Sequence, residues 1–163
     1  MPFEVRPVDV VELGQGDPEE VALHNALLKA RAVRRPGITE QILGVDTLVA
    51  LDGVIYGKPS DEVEARTTLH ALAGTTHRVL SGMALLSDEG ERTAVVATTV
   101  TFRALDERLL DWYLATGEWQ GRAGGYAIQG SGAVLVRSVE GDYENVVGLP
   151  LARLLDMCPG LLG

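Results

Sequence analysis

The sequence predicts an α/β fold on a mixed sheet, and three observations carry that expectation. Segments with helix start and stop signals alternate with short apolar, β-prone runs, the pattern of helices layered on a sheet. Asp52-Gly53 lies between two such runs, a strong signal for a two-residue hairpin. The polar turn Ser87-Asp88-Glu89-Gly90 separates two longer runs in the same way. Hairpins exclude a purely parallel sheet.

Taken in order, Phe3 to Val11 reads as a strand or extended segment ending at Glu12. Asp17-Pro18 starts a helix, with Asp17 as N-cap and Pro18 at the first position. Glu19 and Glu20 suit its positive end, Lys29, Arg31, Arg34 and Arg35 its negative end, and Pro36-Gly37 stops it. Ile42 to Val45 is a short apolar run that predicts a buried strand ending at Asp46, followed by a second strand from Thr47 to Leu51 and, past the turn, Val54 to Tyr56. Ser60 or Asp61 caps a helix that places Ala65, Leu69 and Leu72 on one face, with Gly74 at its C-terminal end. Arg78 to Leu86 and Thr93 to Arg103 are strands, and Asp106 caps a helix closed by Gly117. A glycine-rich stretch from Gly121 to Gly132 leads into a strand over Ala133 to Val139, a turn at Gly141-Asp142, and a last helix through Leu155.

Composition narrows the function. The 163 residues favour a single compact domain, and at 46% hydrophobic they can bury a sizeable core. The net charge of −9 argues against nucleic acid or an anionic membrane as a partner, since both need a basic surface. A small anionic substrate stays open, provided that positive charge is focused at one site. No run of 18 apolar residues predicts a membrane span, and Met1 to Arg6 lacks the pattern of a signal peptide. The single cysteine, Cys158, excludes an internal disulfide framework and fits a reducing, cytoplasmic setting.

The hairpin supplies the most useful geometry. With Asp52 and Gly53 as turn residues, Leu51 faces Val54, Ala50 faces Ile55, and the continued register sets Thr47 opposite Lys58. Asp46 is then one residue from the position opposite Lys58. This is either a plain ion pair at a strand end, or a metal-binding or water-activating carboxylate beside a phosphate-binding lysine. Glu12 is a second candidate carboxylate, although a lone glutamate usually belongs to solvated surface. Lys29 reads as a helix-end charge. Gln129, amid glycines, carries an amide that can donate to and accept from the edge of a nucleobase. Neither a phosphate-binding Walker sequence nor a serine-nucleophile motif occurs, and His24, His70 and His77 have no mutual metal-ligand spacing.

The ordered set of short blocks resembles the Maf family of nucleotide pyrophosphatases along nearly the whole chain. The blocks are Phe3-Glu4-Val5 with Glu12, Ala26 to Ala30, Leu43-Gly44-Val45-Asp46-Thr47, Gly57-Lys58-Pro59, Leu72 to His77, Thr116-Gly117-Glu118, Ala123 to Gly130 and Glu140 to Pro150. The resemblance implies a Maf/ITPase-like α/β fold with a twisted mixed sheet. It implies two lobes around a cleft, one of about 1–75 and 125–163 and the other of about 76–124. It implies hydrolysis of a nucleoside triphosphate to monophosphate and pyrophosphate, with a nucleotide as partner and a homodimer as a compatible assembly. It places Asp46 as catalytic carboxylate, Glu12 with it on a divalent cation (Mg²⁺ or Mn²⁺), Lys29 and Lys58 on phosphates, and Thr47 and Gln129 at positions tied to base choice. The form Ala-Gly-Gly-Tyr-Ala-Ile-Gln-Gly resembles the branch acting on dTTP and UTP rather than the one acting on 7-methyl-GTP.

Two departures stand out. Family members usually begin with a strand and a Ser-Pro-Arg-Arg loop that opens a helix; no Ser-Pro-Arg-Arg occurs here, so the first strand and helix of the family are expected to be missing. Two readings remain open: a chain that starts late, with Met1 read from an alternative start codon, or a true truncation that leaves a weakly active or inactive nucleotide-binding regulator. Gly121-Arg122 stands where many members have Asp-Lys, which removes an acidic group and keeps the positive charge.

Overall fold

A computed structural model describes residues 3–37 and 39–162. Met1, for which an alternative start codon is one of the two expectations, lies outside them. The chain forms a five-stranded sheet in the order β2-β1-β3-β4-β5. Its strands are β1 (Ile42–Leu51), β2 (Val54–Tyr56), β3 (Thr76–Ser87), β4 (Gly90–Phe102) and β5 (Val136–Glu140), and its helices are α1 (Pro18–Val33), α2 (Glu62–Leu72), α3 (Glu107–Ala115), α4 (Tyr143–Val147) and α5 (Leu151–Met157).

Every neighbouring pair is antiparallel, which corrects the expected mixed sheet. The reason is topological. Helix α2 does join two strands that run the same way, β2 and β3, but β1 lies between them and is antiparallel to both. Strands β3 and β4, expected in a second lobe, continue the same sheet, with β3 paired to β1 from Ile42↔Leu86 to Ala50↔Arg78.

Helix α1 lies flush on one face of the sheet. A Cβ at Gly44 would run into the Ala26 carbonyl oxygen, and one at Gly82 into that of Ala22. Two glycines on adjacent strands therefore let the helix backbone touch the strands, and small residues fill the seam: Ala22, Ala26 and Ala30 against Leu48, Leu80 and Ala84. Asp17 caps α1 by accepting from the N–H groups of Glu19 and Glu20, as its sequence predicts. The opposite face of the sheet is covered by α2, α3 and the glycine-rich stretch, through Leu69, Leu72, Leu110, Tyr113, Tyr126 and Ile128. No helix among the described residues is long and apolar enough to cross a membrane.

Of the two forms expected for Phe3 to Val11, the strand is absent: the segment pairs with no strand among the described residues and is mostly exposed, and Arg6, bonded to Glu40 at 2.6 Å, helps to hold it. Three expectations are corrected. Strand β1 does not end at Asp46 but runs through it, because the carboxylate is satisfied by partners on α1 rather than by water. Strand β5 starts at Val136, since residues Ser131–Leu135 form a 3₁₀ turn tied down by the Glu118 carboxylate, which accepts from the N–H groups of Ser131 and Gly132. Asp142 is not merely a turn residue: it caps α4, a helix of 5 residues and too short to leave a periodic signature.

Candidate functional site

The site forms where β2 stops. The hairpin has the predicted register, from Leu51↔Val54 to Val49↔Tyr56, with Asp52 and Gly53 at φ 51° and 79° as such a turn requires. The ladder ends there, so among the described residues no strand lies beside residues 42–48 of β1 on that side. A cavity of about 180 Å³ opens beside Asp46 and Thr47, and Lys29, Lys58, Arg122 and Gln129 also reach its wall.

Asp46 is 7% exposed. Lys29 donates to its Oδ1 at 2.6 Å and Asn25 to its Oδ2 at 3.0 Å. The Lys29 ammonium also stands 2.9 Å from Glu12 Oε1, so one cation joins the two candidate carboxylates. Burial opposes the charge on Lys29, but its hydrogen bonds to Asp46 and Glu12 and their attraction outweigh that cost, and its pKa stands above the ordinary lysine value. Asn25 and Lys29 lie one helical turn apart on the face that α1 turns to the sheet, which is why both meet a strand residue.

Lys58 is exposed at the mouth of the cavity and forms no ion pair with Asp46. The register that would set it opposite Thr47 stops short. Instead the Gly57 carbonyl accepts from the Gly124 N–H at 3.0 Å, tying this segment to the glycine-rich stretch. Thr47 Oγ1 lies 2.7 Å from Ser81 Oγ and 3.4 Å from the Gly148 carbonyl. Gln129 is exposed, and Arg122, also exposed, adds a cation; neither Lys58 nor Arg122 has an ion-pair partner among the described residues.

The glycine-rich stretch is held firmly from beneath. Gly124 sits against Val49 with no room for a Cβ. The Tyr126 hydroxyl lies 2.8 Å from His77 Nε2, and both rings pack edge-on with Phe102. Burial holds the His77 pKa down at about 4 and pushes that of the Tyr126 hydroxyl up, so both are neutral at pH 7. The Tyr113 hydroxyl accepts from the Ala127 N–H at 3.3 Å.

The sequence reading did not single out Asn25, Ser81 or the His77–Tyr126 pair. Asn25 did leave a signal: an amide among the small apolar residues of one helix face, four positions from Lys29. Asp46 and Glu12 are hard oxygen donors of the kind that Mg²⁺ or Mn²⁺ takes, but here the Lys29 ammonium stands between them, so a metal ion would share or take its place with substrate oxygens and water completing the shell. No group of three or more His, Cys, Asp or Glu side chains among the described residues could hold a metal ion.

Residues 1–160 match the family described as Maf-like protein. A dTTP/UTP pyrophosphatase of Pyrococcus furiosus is 44% identical over 157 residues, covering 94% of this chain and 82% of that protein. Proteins of the same name from Deinococcus radiodurans (43% identical, 98% and 83% covered) and Akkermansia muciniphila (40% identical, 99% and 86% covered) align along nearly the full chain. The match spans every residue gathered at the cavity, and the chain belongs to the Maf-like protein family.

Proposed function

We propose that the chain is a nucleotide pyrophosphatase that hydrolyses dTTP and UTP to the monophosphate and pyrophosphate. One observation carries the reading: a buried carboxylate, Asp46, is held by Lys29 and Asn25 at the wall of a cavity whose mouth bears two cations without ion-pair partners, Lys58 and Arg122. The relatives named dTTP/UTP pyrophosphatase supply the reaction and the bases.

Asp46 orients a water on the α-phosphorus and takes its proton as the new P–O bond forms. The bond from the α-phosphorus to the α,β-bridging oxygen breaks, and pyrophosphate leaves with its electron pair. Lys58 and Arg122 offset the charge that gathers on the leaving group, and Lys29 keeps Asp46 in place while reaching toward the phosphates. Asp46 and Glu12 would hold a Mg²⁺ or Mn²⁺ ion, which when bound neutralises phosphate charge and polarises water. Val49, Val79, Ala127, Val146 and Val147 give the base an apolar wall, and Thr47 and Gln129 give it polar partners.

The test is Asp46→Asn. Pyrophosphate release from dTTP and UTP is expected to fall by at least about 10²-fold, while the nucleotide still raises the melting temperature. Undiminished release would remove Asp46 from the chemistry. Chelation by EDTA is expected to abolish turnover and Mg²⁺ or Mn²⁺ to restore it; turnover that survives chelation would leave Glu12 without its role.

A further inference from the structure

Asn25 stands in the middle of α1 and is 2% exposed, on a face otherwise made of Val21, Ala22, Ala26 and Ala30. A buried amide among apolar neighbours must find partners, and Asn25 finds three. Its Nδ2 donates to Asp46 Oδ2 and to the Leu13 carbonyl, both at 3.0 Å, and its Oδ1 accepts from the Leu13 N–H at 2.8 Å. Both amide hydrogens are used. The orientation is fixed as well, since a flipped amide would set its oxygen against a carboxylate and a carbonyl, and its hydrogens against an N–H.

These bonds join two parts of the chain that are otherwise linked at the site through the Lys29 ammonium. Asp46 belongs to the sheet. Glu12 belongs to residues 3–16, which form neither helix nor strand and are mostly exposed. That segment is held near the site by the Glu12–Lys29 pair and by the two bonds of Leu13 to Asn25. Lysine is a long, flexible tether, whereas Asn25 has a short side chain fixed by three bonds. Asn25 thus grips the peptide next to Glu12 with one end and the free oxygen of Asp46 with the other.

We infer that Asn25 is a positioning residue that sets both carboxylates, Asp46 and Glu12, in one geometry. The inference rests on the reading of Asp46 as the acid of the reaction. It assigns a role in turnover to a side chain that is not part of the cavity wall, and it predicts an effect on kcat rather than on KM.

The experiment compares the full-length chain with Asn25→Leu, which keeps the volume and removes every bond, and Asn25→Asp, which keeps the acceptor for the Leu13 N–H and sets a second carboxylate against Asp46. In Asn25→Leu, kcat for dTTP is expected to fall by about 10–100-fold, as small misplacements of reacting groups do, with KM within about 3-fold of the parent. Hydrogen exchange at the Leu13 amide is expected to quicken at least about 10-fold. In Asn25→Asp the Leu13 amide is expected to stay protected while kcat falls as far, which separates the grip on the segment from the grip on Asp46. If Asn25→Leu does not fold, Asn25→Asp and Asn25→Ala carry the same measurements. A parental kcat in any folded variant that has lost the Asp46 bond overturns the inference, as does a loss confined to KM. Parental kcat in those variants beside an inactive Asp46→Asn defeats this inference alone; full activity of Asp46→Asn defeats the proposed function.

Discussion

Lys29 shows how a single residue can mislead when only its neighbours in sequence are considered. Its position near the end of α1 suggests a charge matched to the helix dipole, yet its ammonium lies between Asp46 and Glu12. Removing it as Lys29→Met leaves two carboxylates facing each other without a cation. The expected cost is about 1–3 kcal/mol in urea unfolding, below the 3–5 kcal/mol of a fully buried pair because Lys29 keeps some contact with water. Its pKa is raised in the folded state, so this stabilisation is fully present below the ordinary lysine value and is lost only as pH rises through the folded one. An unchanged unfolding midpoint at neutral pH would contradict the role. Asp46, Thr47, Lys58 and Gln129 were legible as site candidates from the hairpin, the glycine-rich stretch and the family blocks. The partners of Asp46 were not, because hairpin register speaks only of β1 and β2, whereas Asn25 and Lys29 arrive from a helix packed across the sheet.

At the level of elements, α1 and its seat decide the site. Gly82 lies directly opposite Asp46 in the β1–β3 ladder, beneath the helix backbone. Gly82→Ala is expected to lift α1 from the sheet, at a cost of about 1–3 kcal/mol, and to lower turnover as well, since α1 carries Asn25 and Lys29. Gly53→Ala, at a positive φ in the open hairpin turn, serves as the contrast: about 1 kcal/mol of stability lost with turnover kept. Parallel measurement of thermal stability and pyrophosphate release separates the two; a Gly82→Ala enzyme with parental turnover would mean that the helix seat is irrelevant to the chemistry. Helix caps at Asp17, Asp61 and Asp106 were legible because each precedes its helix in sequence. The 3₁₀ turn before β5 was not, because what bends it is Glu118, 13 residues earlier in the chain.

The molecule as a whole carries an acid sensitivity in its core. His77 is buried and neutral, with its pKa lowered from 6.5 to about 4, so the unfolded chain binds the proton more readily than the folded one. Stability is therefore complete above pH 6.5 and declines toward pH 4, by about 2 kcal/mol at pH 5 from this group alone. Urea unfolding at pH 7 and pH 5 should show the decline, and His77→Phe should flatten it; an equal slope in both proteins would assign the effect to other groups. The general class, helices over a sheet, was legible from alternating patterns, but the strand order was not: no local feature tells that β1 inserts between β2 and β3. The brevity of β2 has a last consequence. An uncovered strand border is ordinarily an invitation to another chain, the first step toward fibrils and precipitates. Here the part of that border at Asp46 and Thr47 opens on the cavity, with the exposed ammonium of Lys58 on its wall, so a strand pairing there would have to bury a cation that an anionic metabolite would meet as a partner.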